Sequence, residues 1–131
     1  MASRRKVFEE SGKVIGLKAL KKGAGGTPVN FKFHVTDTGI SGEDEGSGII
    51  TWHADDPVYA SYQGSLTIDG DKFEWESVEM GKKDGNVIKG LEVVIFPHSP
   101  KLKGWMKNPF IMETEMNVSN EEFKNTAYES P

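Results

Sequence analysis

The stretch VYASYQGSLTIDGDKFEWESVEMGKKDGNVIKGLEVVIF, from Val58 to Phe96, reads as three consecutive antiparallel strands joined by two tight turns. Asp69-Gly70 and Asp84-Gly85 are dipeptides that two-residue hairpin loops favour, because both central residues take positive φ. A loop at residues 69 and 70 places Leu66 opposite Phe73, Gly64 opposite Trp75, Tyr62 opposite Ser77 and Ala60 opposite Glu79. One face is then apolar and aromatic, with the small Gly64 leaving room for Trp75. The other pairs Thr67 with Lys72, Ser65 with Glu74 and Gln63 with Glu76, as suits a solvated sheet surface. A loop at residues 84 and 85 sets Phe73 opposite Phe96, Trp75 opposite Val94, Ser77 opposite Glu92 and Glu79 opposite Gly90. The two turns are independent yet agree on which face is inside, and a slip of one residue would reverse every side chain.

Working outward, Val29 to Thr36 alternates Val29, Phe31, Phe33 and Val35 against Asn30, Lys32, His34 and Thr36, the period-two signature of a half-buried strand. Lys13 to Leu20 is expected to form a strand before it, ended by Gly23-Ala24-Gly25-Gly26-Thr27-Pro28. In Ile40 to His53, the acidic run Gly42-Glu43-Asp44-Glu45-Gly46-Ser47-Gly48 carries glycines inside a strand pattern, the mark of a sharp bend at a barrel corner. A loop of two or four residues at Ala54-Asp55-Asp56-Pro57 puts Ile49, Thr51 and His53 on the inner face with Ala60 and Tyr62. A seventh strand is expected around Lys101 to Lys107, its facing open: a four-residue loop turns Trp105 inward, a five-residue loop Leu102 and Met106. Phe110 to Val118 alternates again. Ser119-Asn120-Glu121-Glu122 has capping-box spacing, which predicts a short C-terminal helix presenting Phe123 and Ala127 to one end of the fold.

The expected architecture is all-β: an eight-stranded antiparallel up-and-down barrel with that short helix. Turn signals recur every 8 to 12 residues, consecutive hairpins make a meander, and closure removes unpaired edges. At 131 residues the chain reads as one domain, 1–131, with residues 1–10 and 126–131 expected to be flexible. No cysteine is present, which excludes a disulfide framework and thiolate chemistry. With no apolar run of transmembrane length and no signal-peptide core, the sequence reads as cytoplasmic, with no membrane partner. The first 22 residues carry seven basic residues against Glu9 and Glu10, a balance of +5 against −9 for the rest, together the net −4. No aromatic platform or basic stripe accompanies this arm, so nucleic acid is not an expected partner.

On the inner face, Tyr62, Ser77, Glu79 and Glu92 share a wall with Phe73, Trp75, Val94 and Phe96. A carboxyl group among aromatics is desolvated, which disfavours its charged form and moves its pKa toward the range of a general acid or base. Glu79, Glu92 and Tyr62 are therefore the candidate catalytic residues, Tyr62 as a donor to a developing oxyanion. Ile49, His53, Phe73, Trp75, Val94 and Phe96 are the candidate ligand-binding residues. The blander reading places Glu79 in solvent near the hairpin end and satisfies Glu92 within the core. On the outer face Val78, Leu91, Val93 and Ile95 point away from the interior, which predicts a homo-oligomer interface or a covering segment of the same chain. His34, His53 and His98 lack metal-ligand spacing, and Gly46-Ser47-Gly48 lacks the lysine and helix of a phosphate loop, so no metal and no cofactor are expected.

Gly46-Ser47-Gly48, Tyr62-Gln63-Gly64-Ser65-Leu66, Trp75 to Gly81, Gly90 to Pro97 and Lys101-Leu102-Lys103-Gly104 follow one another between residues 46 and 104. In order and character they resemble the calycin-like small barrels related to allene oxide cyclase, including short prokaryotic members with no assigned function. The resemblance implies an eight-stranded barrel with a hydrophobic cavity, often oligomeric, serving cyclases or isomerases of unsaturated small molecules in its characterised branches. No catalytic residue of those enzymes matches a position here, so no site is carried over. Three readings follow. The first is a barrel binding an apolar or amphipathic small molecule; the second is a cofactor-free isomerase or cyclase; the third is an interaction protein with a filled core.

Overall fold

A computed structural model describes residues 6–15, 29–39, 42–51, 57–97 and 109–128. They form a closed antiparallel barrel of eight strands: β1 (Lys6–Ile15), β2 (Val29–Asp37), β3 (Gly42–Thr51), β4 (Pro57–Ile68), β5 (Asp71–Asp84), β6 (Val87–Ile95), β7 (Phe110–Asn117) and β8 (Glu122–Tyr128). Each strand pairs with its neighbours in sequence, and β8 closes the ring against β1.

The β4–β5 hairpin follows the expected register throughout, with Asp69 and Gly70 both at positive φ. Gly64 does make room for Trp75: a Cβ there would lie 2.5 Å from the indole and 2.1 Å from the Glu45 carbonyl oxygen. Its cross-strand partner Gly46 is hollowed out in the same way beneath Phe33 and Trp75. These paired glycines let two large rings lie close across the backbone.

The β5–β6 hairpin is shifted by two residues from expectation. Its loop is Gly85-Asn86, Asp84 pairs with Val87, and only Gly85 takes positive φ. A turn with glycine in the first central position needs no second positive φ, so Asp84 is released into the strand. The shift preserves parity, and the same side chains face inward. The pairs change, however: Ser77 faces Val94, Glu79 faces Glu92 and Gly81 faces Gly90.

Three expectations fail elsewhere. Thr51 pairs with Tyr59, so an odd number of residues separates the partners instead of an even-numbered loop, and the β3 facing inverts. Ile50 is completely buried and Ile49 is 44% exposed. The first strand starts at Lys6, so residues 6–10 are paired with β8 and are not a loose start; Thr126 to Tyr128 likewise belong to β8. The C-terminal segment is this eighth strand and not a helix. Asn117 and Asn120 side chains bind the backbone N–H groups of Ser119 and Glu122, and Glu121 takes φ +69°. That turn chemistry displaces a helical cap. Phe123, Asn125 and Ala127 then all face inward, with Glu122 and Lys124 outside, which is a strand period. The strand expected around Lys101 to Lys107, and His53, lie outside the described residues.

The core runs the length of the barrel, from Ile68, Phe73 and Leu66 at one end to Ile88 and Val118 at the other, with Tyr62, Trp75, Val94 and Phe110 between. Phe33 joins the aromatic group edge-on to Tyr62 and Phe123 and tilted against Trp75, with centroids 5.7 to 5.8 Å apart.

Candidate functional site

Four carboxyl groups point into the barrel and are buried: Glu10 from β1, Asp44 from β3, Glu79 from β5 and Glu92 from β6. Strand alternation puts each one there, because each shares its parity with core residues on the same strand: Val14, Ile50, Trp75 and Val94.

Glu79 and Glu92 are direct cross-strand partners, an arrangement that two ionised carboxylates in a dry interior would not tolerate. Burial is the largest influence on both and pushes their pKa values up. Glu92 goes much further, since the Glu79 charge, and then those of Glu10 and Asp44, oppose its ionisation. Glu79 is eased by the Tyr62 hydroxyl, which donates to its Oε1 at 2.7 Å. Tyr62 is itself held well above the usual phenol range, by burial first and then by the two glutamates, so it stays a donor. Ser77 beside Glu92 and Thr114 beside Glu79 soften the carboxyl environments, but neither hydroxyl attains full hydrogen-bond geometry with any partner.

The second pair was not anticipated. Trp75 Nε1 donates to Asp44 Oδ1 at 2.8 Å, and Asn125 Nδ2 donates to Glu10 Oε1 at 2.9 Å. Burial raises both carboxyls; Asp44 is raised well above its ordinary value, with the Glu10 charge the next cause, and it holds its proton toward Glu10. In each pair the more strongly raised member, Glu92 or Asp44, is the one that disfavours ionisation, and its neighbour's charge is a cause.

The two pairs flank a cavity of ≈ 60 Å³ whose apolar wall includes Phe8, Phe33, Tyr62, Trp75, Phe96 and Phe110. Of the residues singled out from sequence, Tyr62, Trp75, Glu79, Glu92, Val94 and Phe96 meet on this wall. Phe73 is buried in the core but is not part of the wall, and Ile49 faces outward. Glu10, Asp44, Thr114 and Asn125, with Glu115 at the exposed rim, complete the polar lining. Among the described residues no lysine, arginine or histidine lines the cavity, and no group of three or more histidine, aspartate or glutamate side chains is arranged to hold a metal ion.

Chemically, the site offers carboxyl groups poised to take or release a proton, a phenol kept protonated, and aromatic surface that excludes water. Outside, Val78, Met80 and Leu91 are 61%, 60% and 52% exposed, and Val93 and Ile95 are also exposed. Val78 pairs with Val93 and Met80 with Leu91, so they form one continuous apolar face across β5 and β6. Comparison of this chain with protein-family models, curated proteins and solved structures gives no match.

Proposed function

We propose that the barrel binds a small molecule in its interior cavity. The apolar part of the ligand lies against Phe33, Trp75, Val94 and Phe96, and a polar end is oriented by Tyr62, Glu79 and Glu92. The observation that carries this reading is the hydrogen-bonded Tyr62–Glu79 pair, with Glu92 opposite, on the wall of a cavity whose remaining surface is mainly aromatic and aliphatic. A core built for stability alone is better served by apolar residues of similar volume, so four buried carboxyls call for a use. The resemblance to barrels related to allene oxide cyclase accords with such a ligand site. Native mass spectrometry of protein purified from its source tests the proposal. A mass excess that disappears on unfolding supports it; a bare mass, together with a melting midpoint unmoved by a panel of small amphipathic molecules, refutes it.

The raised carboxyl pKa values beside a tyrosine donor favour a second reading, a cofactor-free isomerase or cyclase in which one glutamate moves a proton. Glu79→Gln and Glu92→Gln separate the two. Lost turnover with retained binding assigns chemistry to these residues, and unchanged turnover removes them from it. The apolar face of Val78, Leu91, Val93 and Ile95 favours self-association as the way these side chains leave water. Leu91→Asp is expected to lower the sedimenting mass, and an unaltered mass removes this face from any interface.

A further inference from the structure

Resting on the small-molecule reading above, we propose that the cavity is built for a small organic cation: an ammonium group among Glu10, Asp44, Glu79 and Glu92, its alkyl part against the aromatic wall. The interior has a surplus of acceptors. Its described side-chain N–H and O–H bonds from Tyr62, Trp75 and Asn125 are all directed at carboxylate oxygens, so these donors are spent on the cavity's own acids. Thr114 adds an independent sign. It lines the cavity at 8% exposure beside Glu79, and its hydroxyl falls short of full hydrogen-bond geometry with any partner, which is costly unless something in the cavity completes it.

Among the described residues, no positive group opposes a cation from any strand around the cavity. β1 contributes Glu10, β3 Asp44, β4 Tyr62, β5 Glu79, β6 Glu92 and β7 Glu115 at the exposed rim; β2 and β8 contribute the uncharged Phe33 and Asn125. The rings of Phe33, Tyr62 and Trp75 form a contiguous π surface, which attracts desolvated cations. The cavity volume corresponds to roughly four to six water-sized groups, the scale of a short-chain amine. At neutral pH an arriving ammonium ion favours the ionised carboxylates and so expels a proton from the cluster to the buffer, keeping the interior close to its original net charge.

The test is calorimetric titration of the intact protein at pH 7 and fixed ionic strength with three size-matched probes: n-butylammonium chloride, 1-butanol and sodium butyrate. Butylammonium is expected to bind at least tenfold more tightly than butanol, with proton release, and butyrate not at all. Glu79→Gln and, on the opposite pair, Glu10→Gln are each expected to weaken butylammonium at least tenfold, with folding of both checked by urea titration. Butanol binding as tightly as butylammonium overturns the cation inference while leaving a small-molecule site. Affinity unchanged in both variants overturns it too, and no saturable binding of any probe overturns the small-molecule reading as well.

Discussion

Replacing Glu92 with glutamine probes the interior most directly, because the amide imitates the protonated acid in shape and removes the ability to ionise. Glu92 is buried, faces Glu79 across β5 and β6, and is held well above the ordinary carboxyl range by burial and by neighbouring negative charge. Unfolded, the same side chain ionises near pH ~4.3. Between that value and its raised folded value the folded chain binds one proton more than the unfolded chain, so stability falls as pH rises. The contribution of Glu92 is fully present below the unfolded pKa and is gone once pH has passed the folded one. Its slope inside that window is about 1.4 kcal/mol per pH unit. Asp44, raised for the same reason, adds a similar slope, so once pH has passed the folded values of the less strongly raised Glu10 and Glu79 the wild-type protein loses about 2.7 kcal/mol per pH unit while Asp44 and Glu92 remain protonated only in the fold. Glu92→Gln should halve that slope, match the wild type at the acid end and exceed its stability at pH 8. Urea unfolding followed by tryptophan fluorescence at half-unit steps from pH 4 to 8 measures both curves. Parallel curves, or a wild type that gains stability as pH rises, refute the account of the buried acids.

Trp75→Phe keeps most of the ring but strips Asp44 of its N–H donor, so a loss of about 1–3 kcal/mol is expected, larger at pH 8 than at pH 5; a loss independent of pH would mean that only packing was disturbed. Gly64→Ala drives a methyl into the Glu45 carbonyl and the Trp75 indole, and is expected to cost about 1–3 kcal/mol or more in urea unfolding, whereas a neutral effect would show that the bend yields. Gly85→Ala meets open space but a φ of +60°, so a loss of about 1 kcal/mol from backbone strain alone is expected; no loss would show that the turn relaxes to another type.

Much of this architecture was legible because Asp69-Gly70 fixes both the parity and the register of its hairpin. Asp84-Gly85-Asn86 offers two overlapping glycine turns, and their difference is an even number of residues: facing survived, while Glu79 acquired Glu92 as its partner instead of Gly90. Ile49 and Ile50 are equally apolar, so nothing local decides between them; the decision lies in the length of the connection to β4. Glu10 and Asp44 were missed for a different reason. Glu10 lies in a polar stretch whose inward neighbours include Gly12, which looks like a loop but serves as the seat of Phe123. Asp44 sits in a run of acids, where only the parity of Gly46, Gly48 and Ile50 marks it as inward. The eight-strand count held although its membership changed, with Glu122–Tyr128 supplying the strand that the asparagine-rich turn before it disguised as a helix start.

The β1–β8 seam joins Glu10 to Asn125, residues 115 apart in the chain. Every other strand pairing in the ring is between sequence neighbours, whereas the seam must gather nearly the whole polypeptide, the kind of closure that slows folding. A ring still open at this seam would admit water to the acids, so closing it is the step that desolvates them. The rate of refolding should therefore carry the imprint of pH, quickening in mild acid, because closing the ring buries Glu10 and Asp44 together with the Glu79–Glu92 pair of the β5–β6 hairpin.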